Sequence, residues 1–138
     1  MVKNNKIFVP KPEASSKENI KFSFEFYDTS CGEYCLSNWQ KTEILKALNR
    51  LKEINQKTHK DLSQGRNTYH FHEVKWEDTV KKRGFPDPRL NLLDNYQIAL
   101  LGINSGKARI FGGYANNIFY IVWFDYNHEI DPCYKKHT

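Results

Sequence analysis

At 138 residues the chain has the length of one domain with one modest core. Apolar residues make up 39% and aromatic residues 14%, which excludes disorder over most of it. The formal net charge of +5 and a pI of about 9.1 favour an anionic partner such as nucleic acid, although charge of this size also serves solubility.

No apolar run approaches the ~18 residues that a membrane span needs, so no membrane partner is expected. The opening MVKNNKIFVPKPEASSKEN lacks the apolar core of a secretory signal, which points to the cytoplasm. Cys31, Cys35 and Cys133 are an odd set, and thiols stay reduced there, so no disulfide framework is expected.

Residues 1–19 mix Lys, Asn, Pro and Ser and read as a loose arm, with a short extended piece at 7–9. In residues 20–27, Ile20, Phe22, Phe24 and Phe26 alternate with Lys21, Ser23 and Glu25, the pattern of a half-buried strand. Residues 28–36 read as a loop. Ser37 and Gln40 make a capping box for a helix in which Ile44, Leu45, Leu48, Leu51 and Ile54 fall at helical spacing. Thr58 and Asp61 start a second, shorter helix that ends near Gly65. Residues 66–95 are polar and are broken by Gly84, Pro86 and Pro88. A loop this long in a compact domain is usually functional or carries small elements of its own. Three strands follow at 97–103, 108–114 and 118–124, with short turn sequences at 104–107 and 115–117. The sum is one α+β domain over 20–132, a β-α-α-β-β-β antiparallel sheet with helices packed on one face, and a tail at 133–138.

The apolar run Phe119–Phe124 ends on Asp125, Tyr126, Asn127, His128 and Glu129. His128 titrates near neutrality and suits acid or base work. The plainer reading is that Asp125 and Asn127 cap a turn and His128 is structural. Strand pairing across the 115–117 turn sets Arg109 near Trp123 or Phe124, so a cation is expected beside this cluster.

His70 and His72 sit two apart, on one face if their segment is a strand. With Cys31 and Cys35 they form a conceivable zinc set, but Cys-x3-Cys is loose and His-x-His common, so no metal or other cofactor is assigned. The simpler reading is that His72 and Trp76 pin the long loop to the sheet edge, with a secondary role lining a site. Lys81, Lys82 and Arg83 are the one basic cluster, by default a solvated face. On an RNA-binding protein they would join Lys107 and Arg109 in contacting phosphates, with Tyr69, Trp76, Phe85 and Tyr114 as stacking platforms. Phosphate-cradling glycine loops and a serine nucleophile elbow are absent from the sequence.

The two-helix segment at 38–64, Lys107–Phe111 and the terminal FYIVWFDYNHE together resemble the RelE/ParE superfamily of bacterial toxins, including its HigB and YoeB branches. This likeness of layout covers about residues 20–130. It implies an mRNA interferase that works at the ribosome through the RNA 2′-hydroxyl, and a small antitoxin as its partner. On that template His128 is the acid/base and Arg109 a phosphate binder, with Asp125 and Tyr126 in support. Lys107, Lys81, Lys82, Arg83, His72 and Trp76 would touch substrate. The chain is also similar, over two distant segments, to a little-characterised bacterial group with a His-x-x-x-Trp-x-x-Thr segment and a FYIVW-x-D-x-N-H ending. Here these are His72, Trp76 and Thr79, then residues 119–132; the group usually has Pro where this chain has Tyr126. A reading of another class stands beside the toxin: a non-catalytic phage or mobile-element protein that binds and inhibits a host protein, using exposed aromatics and the long loop.

Overall fold

The structure, a computed structural model, describes residues 18–30 and 32–132. Most of the expected arm, the tail at 133–138 and Cys31 lie outside these residues. Five strands form one sheet: β1 (Lys21–Ser23), β2 (His72–Glu73), β3 (Asp94–Ala99), β4 (Arg109–Ala115) and β5 (Ile118–Asp125), in the order β1-β5-β4-β3-β2. The helices are α1 (Lys41–Ile54), α2 (His59–Gln64) and α3 (Arg66–Tyr69). No helix among the described residues is long and apolar enough to cross a membrane.

The fold is α+β, but the sheet is mixed, not purely antiparallel. β3, β4 and β5 form the expected antiparallel meander, whereas β1 runs parallel to β5, Lys21 opposite Ile118 and Ser23 opposite Tyr120. Parallel pairing needs a long crossover, and the helices, the long loop and the three intervening strands supply it. The β4–β5 connection is a two-residue turn. Asn116 and Asn117 take φ of 53° and 69°, a backbone that asparagine tolerates and that matches the twist of a hairpin.

The helices cover one face of the sheet. Ala47, Leu51 and Ile54 of α1 and Leu62 of α2 are buried against Ile98, Ile110, Phe119 and Ile121. The second face is not left to solvent. Phe111, Val122 and Trp123 pack beneath Tyr34, Val74, Phe85, Leu90 and Ile130, so the stretch from Val74 to Leu93 is a roof over the sheet. This explains the long polar segment. It contains the short β2 and two 3-10 turns, Trp76–Asp78 and Pro88–Leu92; Val74, Trp76, Phe85, Leu90 and Leu93 point down onto the sheet, while Val80 and Leu92 are exposed.

The strand expected at 97–103 runs instead over Asp94–Ala99, and two further boundaries differ from expectation for local reasons. The first strand stops at Ser23, whose hydroxyl accepts from the Glu25 N–H at 3.1 Å while Tyr27 N–H bonds the Phe24 carbonyl at 3.0 Å; the chain turns there. The capping box at Ser37 and Gln40 does not form. Leu36–Asn38 is a 3-10 turn, the Ser37 hydroxyl donates to Cys35 Sγ at 3.3 Å, and Gln40 caps α1 without a side-chain bond. The box at Thr58 and Asp61 does form at the start of α2.

Candidate functional site

Asp125 ends β5 directly opposite Arg109 of β4. Arg109 therefore lies beyond its expected partners Trp123 and Phe124. The cause is a bulge: Phe111 pairs Trp123, Gly112 pairs Ile121, and Val122 is the extra residue. Side-chain alternation sets Arg109 on the face of Phe111 and Asp125 on the face of Trp123, the roofed face of the sheet.

Both groups are buried, Arg109 5% and Asp125 1% exposed. The Arg109 guanidinium donates through Nη1 to the carbonyls of Gly106 (2.7 Å) and Ala108 (3.1 Å). Asp125 accepts from the N–H groups of Glu129 (3.0 Å) and Ile130 (2.8 Å) and so shapes the turn out of β5. Burial raises the Asp125 carboxyl, against the pull of those two N–H bonds and of Arg109. The turn-capping reading of Asp125 thus describes its contacts. Arg109 is a buried cation whose Nη1 is engaged by two backbone carbonyls.

That charge acts on two histidines. His128 is half-buried and stands in left-handed backbone, φ 57°. Burial first, then Arg109 and His70, push its imidazole down to about 4, against Asp131. His70 also has a left-handed φ, 48°, and is lowered by partial desolvation, Arg109 and His72. His72 is exposed on β2, opposite Gln97 of β3. Gln97 in turn donates through Nε2 to Asp131 Oδ2 at 2.6 Å, both residues being buried. Segments before β2, on β4 and after β5 thus converge on one end of the roofed face. The convergence presents imidazoles that are neutral at neutral pH, over a buried cation. Neutral imidazole accepts a proton, and the cation favours an anionic ligand nearby.

The other expected residues scatter. Tyr126 turns to the helical face, its ring 5.0 Å from that of Trp39, so it does not join His128. Lys107 is exposed in the turn between β3 and β4, and that turn is tied to the segment after β5 by Asn104, whose Nδ2 donates to the Tyr126 carbonyl (2.9 Å) and to Asn127 Oδ1 (3.0 Å). Lys81 lies over the rings of Tyr34 (5.3 Å) and Trp123 (5.5 Å) and 3.9 Å from Glu33. Lys82 donates to the carbonyls of Glu77 and Thr79, holding its own loop, while Arg83 is exposed. Trp76 is a structural residue: its ring packs on Phe85 (4.8 Å), and Nε1 donates to Asn95 Oδ1 at 2.9 Å. Phe85 and Tyr114 are buried, so neither is a stacking platform for a base.

The zinc idea gains nothing here. Cys31 lies outside the described residues, and among those described no group of three or more His, Cys, Asp or Glu is placed to hold a metal ion. His70, Gln97 and Asp131 are the residues that sequence reasoning did not assign to the site. A glutamine inside the apolar run QIALLGI was the available signal, because a buried amide implies a polar partner. Compared with protein-family models, with curated proteins and with solved structures, the chain has no match.

Proposed function

We propose that this chain acts on RNA as a toxin-like mRNA interferase, with His128 and His70 at its centre. The observation that carries the reading is their placement: two imidazoles, both in left-handed backbone and both held neutral, beside the buried charge of Arg109. Non-glycine residues in that backbone region cost about 1–3 kcal/mol each and cluster at working sites. A neutral imidazole accepts the 2′-hydroxyl proton. The 2′-oxygen then bonds to phosphorus, the bond from phosphorus to the 5′-oxygen breaks, and the leaving oxygen takes a proton from solvent or from a protonated imidazole. Exposed Lys107 and His72 border the site and supply cationic or polar contacts to the phosphate. The ribosome as platform and a small antitoxin as partner belong to this proposal.

The test uses end-labelled RNA with and without ribosomes. Wild-type chain yields fragments ending in a 2′,3′-cyclic phosphate, and His128→Asn lowers the rate at least about 100-fold, the usual weight of an acid or base. Equal cleavage by both proteins rejects His128 as the centre.

A second reading is favoured by one specific observation: Arg109 and Asp125 are engaged in holding turns, and Tyr126 faces away. A non-catalytic protein that binds and inhibits a host protein needs no assembled set. Growth arrest that survives His128→Asn, with RNA left intact, selects this reading.

A further inference from the structure

We propose that the outer face of α1 docks an acidic amphipathic helix of another protein. The inner face of α1 is spent on the core through Ala47, Leu51 and Ile54. On the outer face Leu45 is 60% and Leu48 50% exposed. A single exposed leucine needs no explanation, but these two are neighbours on the helix surface, three residues apart. Lys41 and Lys52, both exposed, extend the same line, since spacings of four, seven and eleven residues fall on one stripe. The stripe reads Lys-Leu-Leu-Lys. The glutamates of the helix lie off it, Glu43 3.9 Å from Lys46 and Glu53 2.7 Å from Arg50.

Charge decides the occupant. The segments of this chain outside the described residues do not complement the stripe: residues 1–17 carry four lysines and one glutamate, and 133–138 carry two lysines and no acid. A second copy is also disfavoured, because two such stripes laid together in either direction set lysine on lysine. What complements the face is an apolar pair flanked by carboxylates about 16 Å apart, the length of eleven helical residues. A helix with acids at i and i+11 and leucines at i+4 and i+7 meets that need. This surface lies in the helical layer, whereas His70, His128 and Arg109 are on the roofed face, so the inference does not depend on RNA cleavage.

The probe is a fluorescent helical peptide with that Glu-Leu-Leu-Glu stripe on an alanine and glutamine background, alongside its Lys-Leu-Leu-Lys counterpart. Anisotropy at low salt should give a Kd on the order of 100 µM for the acidic peptide and none measurable for the basic one. Leu45→Ser with Leu48→Ser should weaken binding at least about 10-fold, as expected for the central anchors of a small patch. Lys41→Glu with Lys52→Glu should reverse the preference between the two peptides. All four side chains are exposed, so circular dichroism should be unchanged in both variants. Equal affinity for both peptides, affinity indifferent to the leucines, or no binding at millimolar peptide overturns the proposal. So does a dimer in sedimentation that Leu45→Ser dissolves, which would make the face a self-interface.

Discussion

His128 shows how one side chain carries both a chemical and a stability consequence. Folded, its imidazole sits at about 4; unfolded, it returns to 6.5. Between those values the unfolded chain binds a proton that the folded chain refuses. Stability is therefore whole above pH 6.5 and falls as the pH drops towards 4. The loss is on the order of 1–2 kcal/mol once solvent screening of a half-buried ring is allowed for. His59 and His70, also lowered, push in the same direction, and Asp125, raised, pushes the other way. Urea midpoints measured from pH 7.5 to 4.5 should fall, and less steeply in His128→Asn, since asparagine accepts the left-handed backbone and does not titrate. A slope identical in both proteins would place the acid sensitivity elsewhere. Trp76 offers a contrasting case. Its worth is packing plus one bond to Asn95, so Trp76→Phe should cost about 1–3 kcal/mol in chemical denaturation and leave any RNA activity of the folded protein intact.

At the scale of elements, β4 and β5 carry the precision of the site. Their bulge sets Arg109 against Asp125, and Gly112 lies beside it. A methyl group at position 112 would collide with the Tyr120 carbonyl and lie 2.7 Å from the Phe119 ring. Gly112→Ala should cost about 3 kcal/mol or more, seen as a lower urea midpoint, and should disturb the His128 imidazole resonances with it. These strands were the most legible part of the sequence, because β-branched and aromatic runs bounded by turn residues such as the paired asparagines are local signals. The bulge was not legible. It shifts register by one residue without altering the pattern of apolar side chains, which is why Arg109 was expected beside Trp123 or Phe124. The Val74–Leu93 roof was hidden for another reason: its apolar residues are spaced irregularly and become a layer only once the sheet is beneath them. His70 was hidden by its neighbours, since nothing in Tyr69–His72 says that its charge will act on His128, far along the chain. The parallel edge of β1 was equally silent, as three alternating residues carry no direction.

For the whole molecule, the positive charge is dispersed over exposed lysines rather than focused at the histidine site. RNA binding, on the proposed reading, should weaken with salt, each phosphate contact adding about 0.7 to the logarithmic slope for single strands. Lys107→Ala should reduce that slope by about one contact, whereas a slope of zero for the wild type would leave no role for RNA.

The strand order has a consequence for how the chain comes to be folded. β5 lies between β1 and β4, so the strand at the centre of that half of the sheet is made after the other four described strands. Lys21 waits for Ile118, almost a hundred positions later, before its pairing can form. Helices α1 and α2 meanwhile have only part of the surface that buries Ala47, Leu51 and Leu62, since Phe119 and Ile121 come from β5. During synthesis β1 thus has no strand to pair with until residues 118–125 have emerged, and a pairing this distant in sequence is of the kind that slows folding.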